Sequence, residues 1–143
     1  MTTTGAAKYK SYIQDLNSEI MLIEEAAEIH EAHITSALPT KLQQLILIGD
    51  HKQLRPTVNS MRLASEFNLD ISMFERLIMS GMKHATLTTQ RRMRPEISAV
   101  IRELYPTLED YKSEEGYPNI KGVGSNYFFF NHQFSESENK DSQ

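Results

Sequence analysis

The sequence predicts an α/β fold with a parallel sheet, and three observations lead to this fold class. Two runs, residues 19–23 and 45–48, are continuously apolar apart from Glu19 at the start of the first, which is typical of strands covered on both faces. The segment between them, residues 26–38, carries Ala, Ile and Leu at three- and four-residue spacings and stops at Pro39, which predicts a helix. A strand, a helix and a second strand in this order form a βαβ unit with a right-handed crossover.

The remainder of the chain extends this pattern. Residues 72–79 have apolar side chains at helical spacing and are followed by Gly81, which predicts an amphipathic helix with a glycine at its end. Another helix is predicted to start after Pro95. Short strands are predicted at residues 85–89 and 126–131, where β-branched or aromatic side chains cluster.

Composition limits the possible functions. The 143 residues are 39% hydrophobic and 24% charged, as in a globular domain, and they include no cysteine. A disulfide scaffold, a thiolate zinc site and a cysteine nucleophile are therefore excluded. The net charge of −4 gives no overall attraction to nucleic acid, so such a contact must be local. Without a bilayer-length apolar run or a secretory signal, we expect an intracellular protein with no membrane partner.

Acidic side chains follow both predicted strands of the βαβ unit. Glu24 and Glu25 come directly after the first strand, and Asp50 follows the second. Ligands of parallel α/β sheets bind beyond the carboxyl ends of the strands. Two adjacent acids there are costly to desolvate unless a cation or hydrogen-bond donors compensate them. Alternatively, the two glutamates only open the next helix, where acidic residues interact favourably with the helix dipole.

Three motifs in a fixed order suggest a family. The segment 49–56, GDHKQLRP, contains GDxxQLxP, and the segment 90–95, QRRMRP, contains QxRMxP. They resemble motifs III and IV of the superfamily 1 helicases, and Glu24–Ala27 resembles their motif II, the Walker B box. The resemblance covers about residues 1–134, and it points to the up-frameshift-like branch and its zinc-finger-containing helicases linked to RNA silencing.

The resemblance implies a partial RecA-like P-loop NTPase fold that uses ATP and Mg²⁺. In the family, the first acid of motif II holds Mg²⁺, here Glu24 through water, and the second orients or deprotonates the attacking water, here Glu25. Glu24 replaces the usual aspartate of the family and is one methylene longer. The motif III glutamine, Gln53, is implied to sense the γ-phosphate, and Asp50 to link the nucleotide site to the strand-binding surface.

The resemblance assigns further residues around the nucleotide and the nucleic acid. Gln90 is implied to contact the cofactor, and Arg92 to act as a cationic finger from the next domain, since its planar fork matches phosphate oxygens. Arg91 stands where relatives often have an aromatic residue and has no assigned role. The implied nucleic-acid contacts are Thr3, Thr4 and Arg55.

Two alternative interpretations concern charged and histidine clusters. Arg91, Arg92 and Arg94 could form an exposed basic patch without a catalytic role. His30 and His33 could suggest zinc, but they are three residues apart rather than the four of HExxH, which favours a helix surface.

The resemblance also implies two domains. We expect residues 1–89 to form the C-terminal part of a first RecA-like domain, 90–134 to begin a second, and 135–143 to be a disordered acidic tail. The sequence has no GxxxxGK[ST] segment, so we expect a fragment of a longer protein that starts within a strand.

Two classes of function follow from the residues and the resemblance. The first is part of an ATP-dependent helicase acting on RNA, with DNA as the other track, and with RNA-silencing or RNA-decay proteins as partners. The second is a non-catalytic, helicase-derived interaction module that lacks the Walker A loop.

Overall fold

A computed structural model describes residues 1–112 and 118–135, and it confirms the α/β fold class with short helices and parallel strands. The chain divides into two compact units, Met1–His84 and the part from Ala85 onward. This division lies five residues before the predicted boundary between residues 89 and 90, and the assignment of two RecA-like domains stays a prediction. Residues 136–143 of the predicted tail lie outside the described part.

The first unit is built around a two-stranded parallel sheet. Its elements are α1 (Thr3–Lys8), α2 (Lys10–Asp15), β1 (Ile20–Ile23), a 3-10 turn (Ala26–Glu28), α3 (Glu31–Ala37), β2 (Gln44–Leu47), α4 (Met61–Phe67) and α5 (Met73–Met79). Strand β1 pairs with β2 in parallel, from Ile20 opposite Gln44 to Ile23 opposite Leu47. The predicted strand–helix–strand order is therefore confirmed.

The second unit has a smaller parallel sheet. Its elements are β3 (Thr89–Gln90), α6 (Pro95–Ile101) and β4 (Glu109–Asp110), with β3 paired to β4. The predicted helix after Pro95 is confirmed, with proline in its first turn where the missing N–H has no partner to lose. The strand predicted at residues 85–89 shrinks to the two residues of β3.

The predicted helix over residues 26–38 is wrong in its first half. Glu25 adopts a left-handed conformation (φ 51°, ψ 39°), and the chain then makes only a 3-10 turn. Ile29 is extended (φ −105°, ψ 130°), which interrupts the helical hydrogen bonds before α3 begins at Glu31. The apolar spacing of this segment therefore serves two short elements instead of one helix.

Two predicted strands are absent from the described residues. The start of the chain forms α1 instead of a strand, because the Thr2 hydroxyl caps the helix by accepting from Gly5 N at 3.0 Å. Residues 126–131 are also not a strand. No described strand pairs with them, and Phe128 and Phe129 remain largely exposed instead of packed.

The predicted helix at residues 72–79 is confirmed as α5, and its ends have the expected chemistry. Ser72 caps it by accepting from Glu75 N at 3.1 Å. Gly81 follows it with φ 82°, a left-handed conformation that favours glycine and that stops the helix.

The core of the first unit lies on one face of its sheet. Ile23, Ile34 and Met73 are buried there together with Ala26. The opposite face is exposed, so the expectation that both faces are covered is not met among the described residues. Its side chains alternate with the buried ones along the strands: Ile20, Leu22, Ile46 and Ile48. No helix in the described ranges has the length and apolar character of a membrane span.

Candidate functional site

The backbone joins the two acidic segments that follow β1 and β2. Ile48 N donates to Ile23 O at 2.9 Å, and Ala26 N donates back to Ile48 O at 2.9 Å. Gly49 passes so close that a Cβ there would lie 2.9 Å from Ala27 N. The ends of both strands are therefore locked together, as the parallel arrangement predicts.

Glu24 and Glu25 project from this locked segment with exposed side chains. Within residues 1–112 and 118–135, neither carboxylate has a protein hydrogen bond or ion pair. Glu25 holds a left-handed backbone (φ 51°), which costs a non-glycine residue about 1 kcal/mol or more and is often found at functional sites. Exposed carboxylates at the carboxyl end of parallel strands have the hard oxygen ligands that suit hydrated Mg²⁺. Glu25 does stand at the start of a helical element, as the helix-opening alternative predicts, but that element is a single 3-10 turn and the Glu25 side chain makes no capping hydrogen bond.

Asp50 and Gln53 are brought together in the loop after β2. Asp50 Oδ2 accepts from Gln53 Nε2 at 3.1 Å, and Gln53 N donates to Asp50 O at 3.1 Å. Asp50 Oδ1 also accepts from Lys52 N at 2.9 Å. The aspartate therefore orients the amide group of Gln53, while the Gln53 side chain remains exposed.

Arg55 is held by two carboxylates. Its Nε and Nη2 donate to the two oxygens of Glu75 at 3.0 and 2.5 Å, and its Nη1 donates to Asp70 at 3.1 Å. The hydrogen bonds that Arg55 donates to Glu75, and then the one that it donates to Asp70, raise the pKa of Arg55 above its ordinary value. Glu75 is only 6% exposed, so Arg55 compensates a buried charge. This structural role was missed in the sequence; its predicted contact with nucleic acid stays a prediction.

Thr3 and Thr4 lie in the first turn of α1. Thr4 is exposed and Thr3 is partly buried. The helix packs against α3, and Ala6 is buried on it. The structure therefore leaves Thr4 accessible to a ligand.

In the second unit, Gln90 turns its side chain inward. Its Oε1 accepts from Arg92 N at 2.9 Å and from Met93 N at 2.7 Å. Its Nε2 donates to Met93 O at 2.8 Å and to Asp110 Oδ1 at 2.6 Å. The amide thus shapes the loop that carries the motif IV arginines, and the predicted cofactor contact of Gln90 stays a prediction.

Asp110 anchors this loop, a role that the sequence analysis did not predict. It accepts from Gln90 and, through Oδ2, from Arg102 Nη2 at 2.6 Å. Hydrogen bonds from Gln90, then from buried Ser98 and from Arg102, hold the pKa of Asp110 below its ordinary value. Asp110 lies outside the three motif segments, 24–27, 49–56 and 90–95, so the sequence contained no signal for its role.

The three motif IV arginines occupy different environments. The guanidinium of Arg91 lies 4.0 Å from the ring centroid of Tyr111, a cation–π contact. Arg94 Nη2 donates to Pro118 O at 2.7 Å. Arg92 is exposed, and its side chain has no partner in the described part of the chain. The interpretation as one uniform basic patch is therefore too simple, because Arg91 and Arg94 contact Tyr111 and Pro118, whereas the exposed Arg92 side chain contacts no partner in the described part of the chain.

His30, at the N-cap of α3, contacts His33 within the helix. The rings of His30 and His33 are 5.5 Å apart edge to face, and His30 Nε2 lies 3.0 Å from Thr57 O. No group of three or more metal-ligating side chains occurs among the described residues.

Comparisons with known proteins relate the chain to helicases. The family described as "AAA domain" matches residues 1–61. The mouse NFX1-type zinc finger-containing protein 1 is 49% identical over 139 residues, 96% of this chain and 7% of that protein. The Schizosaccharomyces pombe helicase required for RNAi-mediated heterochromatin assembly 1 is 46% identical over 131 residues, which is 91% of this chain and 13% of that protein. The mouse 5'-3' DNA helicase ZGRF1 is 35% identical over 96 residues, which is 65% of this chain and 5% of that protein.

The similarity covers nearly all of this chain but only a small part of each relative. The chain spans 7% of the NFX1-type protein and 13% of the yeast helicase. Its α/β architecture and the AAA domain match indicate a RecA-like P-loop fold. With motifs II, III and IV in order on that fold, the chain belongs to the superfamily 1 helicases, on the branch of the zinc-finger-containing helicases.

Proposed function

We propose that the chain forms part of an ATP-dependent helicase that acts on RNA. One observation carries the proposal: the backbone hydrogen bonds that lock the Glu24–Glu25 turn to the loop of Asp50 and Gln53. These bonds tie the turn that carries the motif II acids to the start of the motif III loop, which supports a shared site for the two motifs. Positioning and preorganised charge are the main contributions of the protein to phosphoryl transfer.

Each residue then has one role in ATP hydrolysis. Mg²⁺ would supply charge neutralisation on the phosphates. Glu24 would hold the hydrated ion, and Glu25 would orient or deprotonate the attacking water. Gln53, fixed by Asp50, would contact the γ-phosphate. Arg92 would supply a cation where negative charge develops, a role that suits its exposed guanidinium.

RNA is favoured as the track by the names of the relatives. The yeast helicase is required for RNAi-mediated heterochromatin assembly, which supports a role in RNA silencing or surveillance together with proteins of those pathways. The DNA helicase ZGRF1 aligns with a smaller share of the chain, so DNA is the second candidate track.

A change at Glu25 tests the proposal in the full-length gene product that carries this chain. Gln keeps the shape of the side chain but cannot accept a proton, so Glu25→Gln should reduce RNA-stimulated ATP hydrolysis about a hundredfold or more while ATP binding persists. Glu28→Gln is the matched control, because Glu28 is also exposed and lies in the same turn. The two measurements are the binding of a fluorescent ATP analogue and the rate of phosphate release.

Other results would favour the second class of function. The sequence printed here contains no GxxxxGK[ST] segment, which is the observation behind a non-catalytic interaction module. A full-length product that hydrolyses no ATP, or a Glu25→Gln protein with wild-type turnover, would contradict the enzymatic proposal and leave the module as the better account.

A further inference from the structure

An exposed aromatic and cationic cluster lies where α1 meets α2. The segment Lys8–Tyr12, with the sequence KYKSY, is exposed at every position. Tyr9 is 47% and Tyr12 is 70% exposed, and their ring centroids are 6.3 Å apart with the planes at 60°. Lys8 Nζ lies 5.6 Å from the centre of the Tyr9 ring. We name Lys8, Tyr9, Lys10 and Tyr12 the tyrosine–lysine patch.

Other side chains of the same two helices hold them on the protein. Ala6 of α1 is buried. Gln14 of α2 donates to Leu38 O at 3.4 Å and accepts from Thr40 N at 3.0 Å. The two tyrosine rings are therefore not needed to attach the helices, and both present open aromatic surface to solvent.

The local charge of this region differs from that of the whole chain. The net charge is −4, but residues 1–14 contain two lysines and no acidic residue. Thr4 precedes Lys8 by four residues on α1, so the two side chains are neighbours on one helix face. The patch thus extends from the threonine that the helicase resemblance assigns to nucleic acid.

We propose that the tyrosine–lysine patch binds single-stranded nucleic acid. Tyr9 and Tyr12 stack on bases, and Lys8 and Lys10 pair with phosphates. Alternating cationic and aromatic side chains match the alternating phosphates and bases of a single strand, whose base faces are open, whereas a duplex hides those faces. The inference deepens the proposed helicase function and rests on it.

Binding of a fluorescein-labelled oligouridine of about 12 nucleotides to the 143-residue chain, followed by anisotropy in low salt without ATP, tests the patch. Tyr12→Leu keeps apolar bulk but removes the ring, and it should weaken binding about fivefold or more. Tyr12→Phe keeps the ring and should bind within about twofold of wild type. Tyr127→Leu, at an exposed tyrosine of the second unit, is the matched control and should change nothing.

A second pair of changes tests the lysines. The double change Lys8→Gln and Lys10→Gln should make the negative slope of log Kobs against log salt shallower by about 1.4, the value for two phosphate contacts on a single strand. The proposal is overturned if oligouridine does not bind, if Tyr12→Leu binds like wild type, or if duplex RNA competes equally well. These outcomes are separate from the Glu25→Gln assay, which needs ATP turnover and not the patch.

Discussion

Arg55 connects the loop after β2 to α5 through a carboxylate that is almost fully buried. Removing its guanidinium would leave the Glu75 charge, 6% exposed, with no bidentate partner. We expect Arg55→Ala to lower the free energy of unfolding by about 3 kcal/mol, measured by urea denaturation of the chain.

Arg62→Ala is the matched control for this change. Arg62 also pairs with a glutamate, Glu66, but both side chains are more than half exposed, so the expected loss is below about 1 kcal/mol. Equal losses for the two variants would show that the buried position of Glu75 does not matter.

The hydrogen-bond partners of Gln90 could not be predicted from the sequence. The motif predicts that Gln90 contacts the cofactor, and that contact stays a prediction, whereas in the structure its polar atoms point into the loop and to Asp110, 20 residues away. Such a partner is set by the pairing of β3 with β4 and not by local spacing. Arg92 is predicted from the motif alone, and its role as a cationic finger stays a prediction because its exposed side chain has no partner in the described part of the chain.

At the level of elements, the contact between the ends of β1 and β2 depends on a residue without a side chain. A Cβ at Gly49 would lie 2.9 Å from Ala27 N and 3.1 Å from Ala26 N. Both are backbone atoms that cannot swing aside. Gly49→Ala should therefore destabilise the chain by about 1–3 kcal/mol in thermal or urea unfolding.

Gly124→Ala provides the comparison for Gly49→Ala. A Cβ at Gly124 meets no atom within 4 Å, and we expect little change in unfolding there. If Gly49→Ala unfolded like Gly124→Ala, the segments after the two strands would be less tightly packed than the backbone distances indicate.

The sequence predicted β1 and β2 better than the helix between them, and the backbone of Glu25 is the reason. Hydrophobic runs mark β1 and β2 directly, since burial requires apolar side chains. The left-handed Glu25 carries no such mark, because glutamate rarely adopts this conformation and the spacing of apolar residues is unchanged by it. The break in the helix was thus invisible to periodicity.

At the level of the whole molecule, the two apolar faces of the β1–β2 sheet differ. The continuous apolar runs predicted coverage of both faces, and α3 and α5 cover one. The other face presents aliphatic side chains to solvent in the described part of the chain, with Leu22 54% exposed. An uncovered apolar surface of this kind promotes association between chains.

Leu22→Lys should therefore reduce self-association of the 143-residue chain. Burying a leucine contributes about 1.5–3 kcal/mol, so a lysine at this position should raise the concentration needed for association about tenfold or more. Leu87→Lys is the control, because Leu87 is 91% exposed but lies outside the sheet face. Light scattering across a concentration series measures the mass, and circular dichroism checks that both variants stay folded. Association that is unchanged by Leu22→Lys would show that this sheet face is not the surface through which the chains meet.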